Sequence, residues 1–441
     1  MTIMKFENKK EIATNTKLKD DVSSIGEEER GHSAFDVDRT NAGSSFYAYY
    51  NVVCCVCGTG MLGLSTSLGK GGWGALALLL LSWWMAIYSS IILIKCLYRP
   101  RKQTSRLPSY KDVAEDAFGP VGGWVAFFFQ AWILVGTPIL YLVLCAANLN
   151  DLCAGSPGEI GIVPWTIIFC VVVAIPMIFL KTMKDIAWTS FVGVVAVLVT
   201  TFICVIVAGI NDKQNNVSRM VRHDNIIWEG FPVALSTIAF SFGGNVVYPN
   251  VEASMKRPKD WNKVIIGGLT TCAILYILIA VPGYYVYGAD VKNPLYNSLP
   301  NGVPRIICVV FVTLNVLVSA PIYLMSFVLD CEDILKVDRL QPGTKAFIAR
   351  ATFRTSIMAF CSVVGCVVPY FDLLLDLFGA FGYCTTIFII PIACYWRLTG
   401  VRNKPIWELA WNMLILVFGI VGLVFGTWGA LEALIDAFQN K

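Results

Sequence analysis

From Trp73 to Ile94 the chain reads WGALALLLLSWWMAIYSSIILI, with no charged residue. A run of about 20 apolar residues crosses a bilayer as a helix. A second block, WTIIFCVVVAIPMIFL from Trp165 to Leu180, is nearly as apolar. Isolated strands are excluded at such depth, because lipid offers their backbone groups no partner. Only 15% of the chain is charged, against about 25% in soluble domains. The fold class is therefore an all-α polytopic membrane protein.

Eleven apolar spans are expected, at 46–67, 72–96, 121–149, 163–180, 186–210, 230–252, 263–287, 304–329, 346–368, 373–396 and 406–434. They form one transmembrane domain over 45–441. Residues 1–44 carry seven basic and nine acidic residues without an apolar run, and read as a disordered tail. With the N-terminus in the cytosol, the inner loops hold 19 Lys and Arg, and the outer loops with the C-terminus hold 7. The positive-inside rule then sets the N-terminus cytosolic and the C-terminus lumenal or extracellular. Asn216-Val217-Ser218, a glycosylation acceptor triplet, falls in an outer loop and agrees. SYKDVAEDAFG, from Ser109 to Gly119, places Val113, Ala114, Ala117 and Phe118 on one face of a short interfacial helix. Trp73, Trp124, Trp228 and Trp407 lie at span ends, as aromatic-belt anchors do.

The stretch CGTGMLGLSTSLGKGG, from Cys57 to Gly72, matches G-x-G-x-x-G. A dinucleotide site needs a preceding strand and an acid about 20 residues on. Here the flanks are transmembrane, and LLSWW stands where the acid would be. A P-loop is excluded by its spacing and by Gly71 after Lys70. Glycine inside a helix costs about 1 kcal/mol relative to alanine. Gly58, Thr59 and Gly60 thus mark either an unwound stretch in span one or a close helix contact. Span six decides for unwinding: in FPVALSTIAFSFGGNVVYPNVEASMK, Gly243-Gly244 falls at the matching depth, between Ser241 and Asn245. Interrupted helices at corresponding places in two inverted halves point to a transporter's central site. Freed amides from Gly58 through Thr59, Gly60 and Met61 to Leu62 suit a carboxylate at a half-helix N-terminus. Freed carbonyls there and from Ser241, Phe242, Gly243 and Gly244 suit an ammonium group. Such a site fits a zwitterionic amino acid, with Asn245 as a further substrate-binding candidate and Phe242 and Trp132 as candidates for side-chain selection.

Several segments resemble the amino acid/auxin permease family. GTGMLGLSTSLGKGGW is similar to its first span, AFSFGGNVVYPNVEASMKRP to its sixth, SAPIYLM to its eighth and FRTSIMAF to its ninth. YSSIILIKCLYRP followed by SYKDVAEDAFG resembles the branch of vesicular inhibitory and of fungal and plant vacuolar amino acid transporters. The resemblance implies inverted repeats over about 46–210 and 230–396, an extra helix at 406–434, and amino acid transport coupled to protons. It leaves vacuolar, vesicular and plasma membranes open. Three positions depart from it. Cys54 stands where sodium-coupled relatives carry asparagine, Asn245 where many plant relatives carry histidine, and Asp376 where the family has a small neutral residue.

Ionisable groups inside spans are functional candidates. Glu252 reads either as a proton-responsive acid or as the partner of a basic inner loop. Asp376 reads as a proton relay or as a water-facing acid near a helix start. Thr313 and Asn315 could line an ion site with span one or hydrogen-bond between helices. Arg354 is expected to snorkel or to bind a carbonyl. The expected partners are an amino acid, protons in preference to sodium, and the bilayer. A monomer without cofactor or nucleic acid is expected. Most of the 15 cysteines lie in apolar blocks and act as small hydrophobes; Cys153 is the loop exception. No metal or catalytic cluster is legible, which argues against an enzyme. A sodium-coupled symporter and a non-transporting amino acid sensor, with IGEEERGHSAFD as its recruiting tail, are the alternatives.

Overall fold

The computed structural model describes residue 39 and residues 42–98, 106–179, 183–334, 344–368, 371–402 and 404–439. Residues 1–38, 40 and 41 of the expected tail lie outside them, as do the basic stretches 99–105 and 335–343. The described residues are almost wholly helical. Among the described residues seven helices are long and apolar enough to cross a membrane, or eight if the bent pair Ser45–Val56 and Gly60–Gly71 is one span. The chain is a multi-pass membrane protein.

The first span is interrupted. Helix α1 (Ser45–Val56) ends at Cys57, a tight helical turn follows at Thr59–Gly63, and α2 (Leu64–Gly71) continues after a bend of 41°. Then come α3 (Gly74–Leu97), α4 (Tyr110–Phe118), α5 (Pro120–Leu152), α6 (Ile162–Phe179) and α7 (Met183–Asn215). The second interruption separates α8 (Phe231–Ser241) from α9 (Tyr248–Ala253). The bundle continues with α10 (Trp261–Tyr287), α11 (Val303–Ile334), α12 (Thr344–Val367) and α13 (Phe371–Leu377). A π-helical stretch at Phe378–Ile389 joins α13 to α14 (Ile390–Thr399). The last helix runs as α15 (Ile406–Val421), a π turn, and α16 (Thr427–Gln439). The expected spans at 163–180, 230–252 and 346–368 coincide with α6, with α8 plus α9, and with α12, none of which is among the seven.

Helix α4 is the expected interfacial helix. Ser109 and Asp112 cap it reciprocally, each side chain bonding the other's backbone N–H. Tyr110, Val113, Ala114 and Ala117 turn inward, while Phe118, expected on that face, is 51% exposed. It is the last residue of the helix, where the chain turns away at Gly119 with φ 80°. Of the belt tryptophans, Trp124, Trp228 and Trp407 are exposed, and Trp73 packs on Tyr284. All 15 cysteines are free, Cys153 included.

The last residues of the expected tail are held in place. Gly43 and Met255 form a parallel bridge, and Lys256 N–H donates to Gly43 O at 2.7 Å. The chain thus straps over the end of α9 on the N-terminal face. The opposite face carries the loops around residues 288–305.

Candidate functional site

The two interruptions face each other. At Gly60 a Cβ would stand 2.7 Å from Ser241 Oγ and 2.8 Å from its Cα, so only glycine lets the two breaks approach this closely. At Gly243 a Cβ would fall on the ring of Tyr383. The other expected residues gather here. Gly58 is unwound and buried beside Tyr141 Oη. Thr59 opens the tight turn; its side chain lies outside the described residues. Met61 and Leu62 are each 1% exposed, and Thr201 Oγ1 lies 3.6 Å from Met61 Sδ. Phe242 is fully buried with its ring edge-on to Tyr276, and Gly244 packs on Tyr248.

Ending a helix frees its last carbonyls. Two tyrosines meet those of both breaks at once. Tyr276 Oη lies 2.7 Å from Val56 O and 2.5 Å from Ser241 O. Tyr323 Oη lies 3.2 Å from Cys55 O and 3.1 Å from Gly243 O. Tyr141 stacks edge-on against Tyr323, and Tyr383 pairs with Thr137 Oγ1 at 2.9 Å. None of these four tyrosines is singled out by the sequence. They sit on α10, α11, α5 and the π-helical stretch, and only packing brings them together.

Two expected contributors take other roles. Trp132 is 36% exposed, and its ring packs on Phe128, Phe378 and Phe381 on the outside of the bundle. Gln130, two residues earlier and about 200° round the helix, is the one turned inward. Asn245 is buried, but Ser90 Oγ donates to its Oδ1 and its Nδ2 donates to Ser89 Oγ, both at 2.8 Å. Its side chain ties α3 to the break.

The N-terminal face is closed by charge. Glu252, 0% exposed, accepts from Arg106 Nε at 2.7 Å, Arg39 Nη2 at 3.1 Å and Tyr98 Oη at 2.5 Å. Arg39 Nη1 also donates to Glu252 O and Ala253 O at 2.8 Å, and Arg106 Nη2 to Pro249 O at 2.7 Å. Burial, and then the Glu252 charge, hold the Tyr98 phenol above its ordinary value of 10, so it remains a donor. Of the two readings of Glu252, this geometry is that of the ion pair with basic segments.

On the opposite face, Asp376 accepts from Lys70 Nζ at 2.6 Å and Thr237 Oγ1 at 2.7 Å, bridging α2, α8 and α13. Beyond it lie two adjoining cavities of about 960 and 480 Å³ that share Lys292, Asn293, Asn297 and Asp372. A Cβ on Gly63 would stand 3.3 Å from the Asn293 carboxamide, so a residue that lines this vestibule packs on the turn after the first break. Asn148 Nδ2 donates to Thr313 Oγ1 at 3.1 Å, and Asn315 Nδ2 to Gly193 O at 3.0 Å. Both therefore make bonds between helices. Arg354 Nη1 binds Met177 O at 2.8 Å, as expected of a carbonyl partner. Asn216 is exposed with φ 51°, beside a turn that contains no buried residue. Among the described residues no His, Cys, Asp and Glu cluster could hold a metal.

The family model for transmembrane amino acid transporter proteins matches residues 41–432. Amino acid transporter AVT1I of Arabidopsis thaliana is 27% identical over 407 residues, covering 91% of this chain and 98% of the relative. The vesicular inhibitory amino acid transporter of Rattus norvegicus is 25% identical, covering 96% and 81%. Among solved structures, MhsT in complex with L-phenylalanine superposes with a TM-score of 0.60 at 13% identity, covering 88% of this chain and 100% of that one. Mhp1, a nucleobase-cation-symport-1 family transporter, gives 0.57 at 14% identity, covering 92% and 96%. These likenesses show that the fold is that of solved transporters, and the relatives are transporters, not enzymes. The resemblance read from the sequence holds, and the chain belongs to the transmembrane amino acid transporter protein family.

Proposed function

We propose that the protein is a secondary active transporter of amino acids, coupled to protons, working by alternating access around the two breaks. One observation carries this reading. Two buried helix interruptions meet at Gly60 and Ser241, and collect backbone carbonyls from both segments around Tyr276 and Tyr323. The backbone from Gly58 to Leu62 would take the carboxylate, and that from Ser241 to Gly244 the ammonium, with no buried protein charge required. Eleven spans would arrange as inverted repeats over 46–210 and 230–396 with one extra helix. The Glu252 cluster closes one face and the vestibule opens the other, as one end state of such a cycle would require.

The N-terminus is placed in the cytosol of a cell whose vacuolar, vesicular or plasma membrane holds the carrier as a monomer. Glycosidase treatment would shift the wild-type gel band and leave Asn216→Gln unshifted if that loop is lumenal. The decisive experiment is uptake of labelled amino acids into proteoliposomes under an imposed pH gradient. Uptake that follows the gradient and is indifferent to replacing sodium with choline supports the reading. Dependence on sodium favours the symporter alternative, and binding without flux the sensor.

A further inference from the structure

Of the buried acids, Glu252, Glu332 and Asp376 each have a basic partner, and Asp330 has none among the described residues. Asp330, near the end of α11, is 5% exposed. Its Oδ2 accepts from Gln130 Nε2 at 2.6 Å, and its Oδ1 from Asn250 Nδ2 at 3.3 Å. Among the described residues no lysine or arginine pairs with it. The charged groups facing it are Asp112 of α4 and Asp333 on its own helix, both acidic. Its own helix adds the thiol of Cys331 beside it, and α5 and α9 present amides. Glu252, at the same end of the bundle, has two guanidinium groups instead. Amide dipoles alone offset little of the cost of burying a charge, and a proton removes that cost.

The amides lead to the second break. Gln130, 1% exposed on α5, uses its Nε2 again, 3.3 Å from Val246 O in the unwound stretch between α8 and α9. Its Oε1 is buried without a partner. Asn250 lies on α9 itself. The acid is thus joined at two points to the moving segment, through Gln130 to the unwound stretch and through Asn250 to α9.

We propose that Asp330 takes up and releases the coupled proton, and that Gln130 relays its protonation state to the second break. In the charged form one amide hydrogen of Gln130 goes to Asp330 Oδ2 and the other to Val246 O. A hydronium ion from the aqueous side then gives its proton to Oδ2: one of its O–H bonds breaks as the carboxyl O–H bond forms, and a neutral water leaves. The carboxyl is now a donor. The Gln130 amide turns over so that its orphaned Oε1 accepts that hydrogen. Val246 O loses its partner, and the unwound stretch is released from α5. Deprotonation reverses each step.

This rests on the proton-coupled reading, and the test separates the two. Full-length protein is reconstituted in liposomes and supplied with a radiolabelled mixture of the standard amino acids. Uptake is compared with and without a pH gradient, and exchange is followed with none. The wild type should take up several-fold more under the gradient. Asp330→Asn should bring that ratio to unity while retaining exchange. Infrared difference spectra on acidification should show a protonated-carboxyl band that Asp330→Asn removes. Gln130→Leu should keep the band yet lose the gradient response, and it decides the matter should Asp330→Asn not fold. A gradient response surviving in Gln130→Leu or Asp330→Asn overturns the inference. Wild-type uptake indifferent to the gradient overturns proton coupling instead.

Discussion

Glu252→Gln tests whether the N-terminal face is locked by charge. The carboxylate is 0% exposed at the side chain, against 15% for Arg106 and 28% for Arg39. Removing one partner of a buried ion pair costs about 3–5 kcal/mol, because it strands the other charge. Water reaches Arg39, which takes the figure to the lower end, about 3 kcal/mol. At about 1.4 kcal/mol per tenfold, this face should open about a hundredfold more often. The reporters are backbone amides that close the strap: Gly43 N–H on Ser254 O at 2.8 Å and Lys256 N–H on Gly43 O at 2.7 Å. Their hydrogen exchange, measured by mass spectrometry in lipid, should accelerate about a hundredfold. Arg39→Ala should accelerate it less, since Arg106 still holds Glu252. Exchange rates in Glu252→Gln matching wild type would refute the argument, leaving the cluster as decoration on a face closed by packing alone.

Three further outcomes follow. Tyr276→Phe leaves Val56 O and Ser241 O without that hydroxyl, which should cost about 1–3 kcal/mol as buried acceptors go unpaired; thermal unfolding in detergent reads it, and an unchanged melting temperature would count against the contact. Gly60→Ala pushes a methyl into Ser241 backbone and side chain, for a penalty of about 1–3 kcal/mol from overpacking; it should abolish uptake, and Ser241→Gly in the same chain should restore part of it. The Tyr98 phenol is held above 10 in the folded protein, so the folded state keeps a proton that the unfolded state loses. Its contribution is complete below pH 10 and fades as pH rises through the folded value. Melting curves should fall less steeply above pH 10 in Tyr98→Phe than in wild type; identical slopes would dismiss the linkage.

Glycines in apolar helices were informative because they are costly there. Gly58, Gly60, Gly243 and Gly244 violate helix preference at matched depths, and the breaks lie at them. The tyrosines around them were not legible. Tyr276 or Tyr323 in an apolar helix looks like any other large side chain, and its carbonyl partner at the first break is over 200 residues away. The side assigned to Trp132 went unread because the polar residues of its helix, Gln130 and Asn148, which are buried and mark the inner face, were not used to set its phase. The structural role of Asn245 was not legible because its partners, Ser89 and Ser90, sit on another helix. Asp330 was missed at a boundary. The hydropathy run of its helix was read to end at residue 329, whereas α11 continues to Ile334 and carries the acid inside.

The tyrosine contacts at the breaks have an arithmetic consequence. Four carbonyl oxygens, from Cys55, Val56, Ser241 and Gly243, converge on two phenols. A phenol has one hydrogen to give. At any instant two of those oxygens are therefore unserved by tyrosine, wherever the hydroxyls rotate. A primary ammonium brings three N–H groups, so the resting cradle favours solutes richer in hydrogens than its own side chains.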